Sequence, residues 1–434
     1  MSPLKNLKYK NKILELSLLL NFAQKPIQIL DSVKWGDEIE EGLLKSNFKE
    51  LPVIDYKLKP LKFDTSKKLQ EFRDLRLKIT NELGDQDPLA AILIRNCIQY
   101  EDVVRMLMNR GTHVFYDYSK KLYGSPSELC NDGKTKLSDL SHSLNSLLTS
   151  LEESRFGDIY EKNLTAEMVV EELKIRLGNY FVSENIKVKL SDGIISDASA
   201  GSDYIKIKKG VMFSQRDLDV FEVHEGRVHL GTTINGQNQP YAKWLSKGPP
   251  CSTVTQEGLA VMMEFLTCAL IPGRAKRLND RLIAAQMAEE GANLLEVIDY
   301  YRGKNQTDRQ AIRNAGRIFR GASLEGGTPF TKDIAYLKGF VMTYNFMRAS
   351  VKDGRADLIP FLFAGKVALE DIPVLFDYHQ MGVIDLPKYL PPQIRDLNGL
   401  VMWMTFSHFL DNMKIDGLVP GKKSSETGII KKAS

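Results

Sequence analysis

Val223-His224-Glu225-Gly226-Arg227-Val228-His229 places two imidazoles around a carboxylate. This is close to the H-E-x-x-H zinc signature, with one residue too many between the histidines. The extra residue has a physical consequence. Residues four apart on an ideal α-helix nearly eclipse, whereas residues five apart are turned by roughly 140°. His224 and His229 can share one metal only if the helix carries a one-residue π-bulge, a distortion often placed at functional sites. Gly226 between them makes such a distortion less costly. The alternative is that two of the six histidines fell near one another by chance.

A catalytic zinc takes three protein ligands and keeps one position open. Thr255-Gln256-Glu257-Gly258-Leu259-Ala260 offers the third. The expected helix begins at Ser252, with Thr253 and Gln256 as a capping box, and runs to Leu270. Glu257 then lies in about its first turn, where a carboxylate is also favoured simply by the helix dipole. Gly258 beside it allows close approach of another backbone. In this reading His224, His229 and Glu257 hold one Zn²⁺ per chain. Glu225 is not a ligand; it faces the water and takes its proton as general base. A tetrahedral intermediate also needs a second electrophile. Arg320, Lys332 and Tyr336 are the candidates, because they flank Gly321 and the flexible Gly326-Gly327-Thr328-Pro329 loop. Tyr344 ranks below them, since its neighbours look like core. Arginine and lysine at helix ends also serve capping and solubility.

These groups must be held by helices and one small sheet. Ser214 with Asp217 reads as a capping box opening the key helix, which is expected to end near Gly231 before a polar loop, 232–237. Two period-two stretches lie just upstream, Ile186 to Leu190 and Tyr204 to Lys208. They read as strands beside the metal, either holding an extended peptide or forming a lysine-protected edge. Asp87-Pro88 opens a strong helix through Leu107. Further helices are expected from Ser66, over 135–151 and 165–181, and over 275–302, 307–320, 332–352, 371–380 and 393–413. The fold class is therefore α+β, predominantly helical. Residues 1–12 read as a flexible basic arm, 13–182 as an N-terminal helical region, 183–413 as the catalytic region, and 414–434 as a flexible basic tail. Whether 13–182 and 183–413 form one domain is left open by the sequence.

His-Glu-x-x-x-His followed by Thr-Gln-Glu-Gly-Leu-Ala resembles the QEGLA-motif family, which includes the microtubule-associated tyrosine carboxypeptidases. Arg110-Gly111-Thr112, Leu122-Tyr123-Gly124-Ser125-Pro126, Phe319-Arg320-Gly321 and Phe330-Thr331-Lys332-Asp333 extend the resemblance across residues 13–412. The resemblance implies a zincin-like metallopeptidase core, with His224, His229 and Glu257 matching the family's zinc ligands and Glu225 its catalytic glutamate. It also implies removal of a C-terminal residue, tyrosine in the tubulin-directed members. Tubulin follows from the resemblance alone.

Composition bounds the partners. The 434 residues are 43% hydrophobic and 26% charged, as in a soluble globular protein. A net charge of +4 with interspersed signs argues against nucleic acid and anionic membranes. No stretch reaches the length of a membrane span. In the first helix Glu15 interrupts the apolar run from Ile13 to Leu20, so an amphipathic helix is expected rather than a signal peptide. Cys97, Cys130, Cys251 and Cys268 are scattered without a C-x-x-C, which points to reduced thiols in a cytoplasmic protein. His113, His142, His379 and His408 stand alone and are not expected to bind metal. Met402, Trp403, Met404, Phe406 and Phe409 read as core. The leading function is a zinc carboxypeptidase acting on a peptide or protein C-terminus. The alternatives are a zinc-holding or peptide-binding regulator with little turnover, and a zinc hydrolase acting on something other than a peptide.

Overall fold

The helices begin where the sequence supplies acceptors for their first free N–H groups. Asp64, Asp87, Thr165, Ser214, Asn293 and Thr307 each accept from the turn they precede. The computed structural model describes residues 3–151, 161–194 and 196–410. In chain order the longer helices of the first part are α1 (Pro3–Gln24), α2 (Asp37–Lys45), α3 (Thr65–Leu83), α4 (Pro88–Met108), α5 (His113–Tyr123), α6 (Leu137–Thr149) and α7 (Ala166–Tyr180). Strands β1 (Lys187–Ser191), β2 (Ala198–Ala200) and β3 (Tyr204–Lys208) follow. Helix α8 then runs through three successive segments, Gln215–Val220, Phe221–Leu230 and Gly231–Asn238. The remainder is α9 (Pro250–Leu266), α10 (Pro272–Glu289), α11 (Leu294–Arg302), α12 (Asp308–Phe319), α13 (Ala335–Lys352), α14 (Ile372–Gln380) and α15 (Leu397–Leu410). The protein is predominantly helical with one small mixed sheet, the expected α+β class.

Several boundaries differ from expectation, each for a physical reason. Helix α1 starts at Pro3, so residues 3–12 of the expected arm form its first turns. The expected tail, 414–434, lies outside the described residues. The stretch 232–237 is helix, not a polar loop. Thr232, Thr233 and Asn235 are buried and used internally: the Thr232 hydroxyl lies 2.8 Å from both the Val228 carbonyl and Gln256 Oε1 and can donate to either, and Asn235 bonds both Phe363 and Tyr389. Helix α9 begins at Pro250 rather than Ser252, with proline at its first position and no capping box at Thr253. The expected helix 275–302 is interrupted at Gly291, whose φ of 113° leaves the helical region.

The sheet has order β1-β3-β2, with β1 parallel and β2 antiparallel to β3. The third strand, β2, is too short to show a period in the sequence. Val188, Ile205 and Ile207 turn inward and pack with Leu173 and Leu177 of α7 and Leu218, Phe221 and Leu230 of α8. A second core joins Ile13, Leu16 and Leu20 of α1, Phe72 of α3 and Leu93 of α4 to Val223 and Val228 of α8, Met263 of α9 and Met347 of α13. The N-terminal helices thus pack directly behind the segment that carries the two histidines. In α15 only Met404 of the expected core series is buried. Met402, Phe406 and Phe409 are more than half exposed and Trp403 is partly so. That helix presents one narrow stripe to its neighbours, so its apolar composition exceeds what its position can bury.

The tightest packing is between α9 and α13. A Cβ added at Gly258 would stand 2.0 Å from the backbone of Gly339, and one at Gly339 would stand 2.0 Å from the Val254 carbonyl. The two helices meet backbone to backbone with no side chain able to yield. Gly258→Ala is expected to cost about 3 kcal/mol or more through forced separation, read as a lowered denaturation midpoint. An unchanged midpoint would show that the helices are free to move apart.

Candidate metal centre

The histidine pair is brought to one face by π-helical winding. Phe221–Leu230 is π-helix, longer than the one-residue bulge the spacing required. At its end the Gly231 N–H donates to the Gly226 carbonyl five residues back. The rings of His224 and His229 come to 4.7 Å between centroids, nearly perpendicular. Gly226 also serves a purpose beyond the one expected. A Cβ there would meet Leu177 of α7 at 2.5 Å, so the glycine admits the crossing helix. On the outer side, Arg176 of α7 bridges Glu172, Asp219 and Glu222, and Arg227 pairs with Glu222. The winding also changes which groups meet the His229 carbonyl. It accepts from the Thr232 and Thr233 hydroxyls and from Lys366 Nζ.

Glu257 enters from α9, two turns into the helix rather than in its first turn. The helix dipole therefore does not account for it. Its Oε2 lies 3.6 Å from Nε2 of each histidine. This oxygen is buried and has no hydrogen-bond partner. The donor atoms of His224, His229 and Glu257 all lie within 4.8 Å of one another, a group that could hold a metal ion. Among the described residues no other His/Cys/Asp/Glu group does so, and His113, His142, His379 and His408 lie outside it. Two imidazole nitrogens and one orphaned carboxylate oxygen form a donor set that suits Zn²⁺. An orphaned buried carboxylate oxygen costs several kcal/mol unless something cationic completes it.

The surroundings orient these donors. His224 Nδ1 lies 2.7 Å from Glu264 Oε1, and Arg274 holds the same carboxylate with two bonds of 3.2 and 3.0 Å. With Nδ1–H committed to Glu264, Nε2 is left as the lone-pair donor. Burial alone would lower the pKa of His224, but the neighbouring Glu257 and Glu264 carboxylates outweigh it and raise it to about 9. His229 is pushed down, by burial first. Glu257 is buried, yet Lys332 and the histidines hold it well below the usual carboxylate range. Glu264 is likewise held down at about 2, against burial, by Arg274 and His224.

Glu225 is not among the clustered donors. Its Oε2 accepts from the Ala200 N–H of β2 at 2.8 Å, and the residue lines the cleft. That cleft, of ≈ 1320 Å³, contains all the residues singled out in the sequence: His224, Glu225, His229, Glu257, Arg320, Lys332 and Tyr336. Lys332 Nζ lies 3.4 Å from Glu257 Oε1. The Tyr336 ring is stacked on His224 at 6.4 Å, and the Arg281 guanidinium lies over the Tyr336 ring at 4.5 Å. Arg320 is 5% exposed, its Nε is unpartnered, and burial lowers it to about 10. Tyr344 does not line the cleft; it bonds Ser407 instead. Gly321 presents Arg320 at a φ of 83°, with its N–H on the Tyr56 hydroxyl and its carbonyl accepting from Gly111. The Arg110-Gly111-Thr112 and Phe319-Arg320-Gly321 segments, far apart in the chain, therefore meet behind the site.

Sequence reasoning missed Glu264, Arg274, Ala200 and Lys366. Glu264 lies seven residues after Glu257, on the same face of α9, which was a usable signal. Nothing local marks the other three.

The sequence model of the family described as microtubule-associated tyrosine carboxypeptidase matches residues 41–412. The chain belongs to this family. Membership implies peptidase activity of the carboxypeptidase type, and the match covers His224, His229 and Glu257. Among curated proteins none matches the chain significantly. Within this tyrosine carboxypeptidase family member, the buried Glu264 carboxylate gives a test of how the cluster is organised. Glu264→Gln should lower Zn²⁺ affinity about 10–100-fold, the usual effect of losing a carboxylate behind a histidine ligand. Competition against a chromogenic chelator measures it; unchanged affinity would mean His224 is oriented without Glu264.

Proposed function

We propose that the protein is a zinc-dependent carboxypeptidase with a zincin-like site. The observation that carries this reading is the orphaned Glu257 Oε2, equidistant at 3.6 Å from His224 Nε2 and His229 Nε2. His224, His229 and Glu257 would hold one Zn²⁺. The bound ion would supply Lewis acidity, polarising the substrate carbonyl and making water acidic enough to lose a proton near neutral pH.

The remaining work falls to the chain. Glu225 Oε1 takes the proton from water while Oε2 stays fixed on the Ala200 N–H. The water oxygen bonds to the scissile carbon, the C–N bond breaks, and Glu225 returns the proton to the leaving amine. A regulator without turnover has no use for a carboxylate held in that position. Lys332 is occupied with Glu257 Oε1, so its role is to keep that carboxylate ionised and oriented. Arg320 and Tyr336 remain for the substrate. Arg320 is a buried guanidinium with no ion pair among the described residues, and the Tyr336 hydroxyl has no partner there. Together they would receive the terminal carboxylate, as a fork and a single donor.

The substrate class is a peptide or protein C-terminus. Lys34, Arg277, Arg281 and Arg313 line the outer cleft and would suit an acidic chain preceding the last residue. Tyrosine as the released residue, and tubulin as its source, rest on the family description. A cytoplasmic location fits four free cysteines. No helix among the described residues is long and apolar enough to cross a membrane.

Protein purified without added metal should contain about one zinc per chain, lost in His224→Ala and Glu257→Ala. Glu225→Gln should keep the zinc and lose about 10²–10⁴-fold in kcat; retained turnover would refute the assignment. Arg320→Met should raise KM about 10–100-fold, the worth of a charged hydrogen bond. It should leave the melting temperature unchanged or higher, because an unpaired buried charge is removed. A fall in stability with unchanged KM would make Arg320 structural.

A further inference from the structure

The reaction needs a donor for the carbonyl oxygen as negative charge develops on it, and none of the groups assigned above fills that place. Arg320 and Tyr336 lie together with Arg281, Arg317 and Asp333 at one side of the cluster. A terminal carboxylate is one residue beyond the scissile carbon, and successive Cα atoms are about 3.8 Å apart. Groups that receive the carboxylate are therefore poorly placed for the scissile carbonyl oxygen. The donor must stand closer to the ligands themselves.

Lys366 lines the cleft beside them, within electrostatic reach of Glu257 and Glu225. Its Nζ donates to the His229 carbonyl and to Gln256 Oε1, each at 3.0 Å. His229 is one member of the cluster and Gln256 adjoins another. An ammonium has three N–H donors, so two fixed acceptors leave one N–H unassigned. Lys366 lines the same cleft as His229 and Glu257. It forms no ion pair among the described residues. A part-buried ammonium bonded only to neutral oxygens is not there to neutralise a carboxylate.

Its position is also fixed from behind. The Lys366 N–H donates to the Leu245 carbonyl at 2.7 Å, and Gly365 lies so close to Leu245 that a Cβ would meet it at 2.5 Å. Gln256 Oε1 is held in turn by the Thr232 hydroxyl of α8 at 2.8 Å. The cation is thus positioned before substrate arrives, which is the condition for stabilising charge without reorganisation.

We infer that Lys366 is a catalytic residue: its remaining N–H binds the oxygen of the scissile carbonyl and stabilises the charge that forms there. The inference rests on the proposed carboxypeptidase reading. The atoms balance within that reaction. The carbonyl π electrons move onto oxygen as water oxygen bonds to carbon, and they return as the C–N bond breaks. Lys366 donates a hydrogen bond throughout and transfers no proton.

The test is Lys366→Met in zinc-loaded full-length protein, assayed on a peptide with a C-terminal tyrosine. The expected result is a loss of about 10²–10³ in kcat, the effect of removing one such donor. KM and zinc content should hold. Lys366→Arg should recover part of the loss. Affinity for a phosphonate peptide, which mimics the tetrahedral oxygen, should fall in parallel with kcat, while affinity for the product peptide should not. Should Lys366→Met fold poorly, Lys366→Gln carries the test, because its amide can replace the bonds to His229 and Gln256 without the charge. Three outcomes overturn the inference: unchanged kcat, a rise in KM with kcat intact, or loss of zinc with the loss of rate. The last would make Lys366 a prop for His229 and Gln256. If zinc-loaded wild-type protein cleaves no C-terminal residue from any peptide, the carboxypeptidase reading itself fails and takes this assignment with it.

Discussion

Two side chains five residues apart share a helix face only where the winding is wider than α. That requirement shapes much of the molecule. Widening Phe221–Leu230 alters the hydrogen-bond ladder and the width of the helix, and both must be accommodated. The hydroxyls of Thr232 and Thr233 and the ammonium of Lys366 gather at the His229 carbonyl. Leu177 enters the space that a side chain at Gly226 would fill. Arg176 and Arg227 gather the acidic residues along the outer face. The helices of the first hundred residues supply the apolar backing through Ile13, Phe72 and Leu93. None of these contacts touches a metal, yet each favours the one winding in which two imidazoles converge.

The second dependence is electrostatic. Glu264, buried, and Glu257, part-buried, lie on one face of α9, and Glu225 lies between β2 and the cleft. Around them stand Arg274, Lys332 and Lys366. Buried pairs of this kind seldom stabilise a fold over an apolar alternative, because desolvation offsets much of their attraction. Their value is orientation. Arg274 fixes Glu264, Glu264 fixes the tautomer of His224, and Lys332 leaves one Glu257 oxygen free. Helix α9 can supply both carboxylates only because Gly258 lets α13 lie against it backbone to backbone. The sequence of glycine and glutamate is therefore one device: the close contact sets the depth at which Glu257 sits.

The parts of this arrangement that were legible in the sequence are those with a local rule. His224, Glu225, His229 and Glu257 are recognisable by type and spacing, and the impossible five-residue interval itself called for π winding. Helix starts were legible at Asp87 and Ser214, where one acceptor satisfies free N–H groups. Other features depend on distant neighbours. Residues 232–237 read as a loop because their polar groups suggest water; Thr232 and Asn235 instead bond Gln256, Phe363 and Tyr389, which no local pattern reveals. Gly226 reads locally as a conformational allowance; its packing role against Leu177 depends on a distant helix. The aromatic series of α15 looked like core because hydrophobicity predicts a wish to be buried, not the presence of something to bury it. Lys366 was invisible for the same reason as Ala200: each matters only through contacts across more than twenty residues of chain.

In the proposed reading, the same electrostatics separates a chain end from a chain middle. Arg320 carries an unpartnered charge in a place where water reaches it poorly. A terminal carboxylate cancels that charge with a bidentate bond. An internal peptide brings only a neutral carbonyl and a following residue that must be accommodated against the guanidinium. The difference is that between a satisfied and an unsatisfied buried group, which is worth more than any single added apolar contact. Selectivity for the end of a chain therefore needs no wall across the cleft. It needs only that the cation be left unpaired until substrate arrives, and the packing of Gly321 against Tyr56 and Gly111 holds it that way.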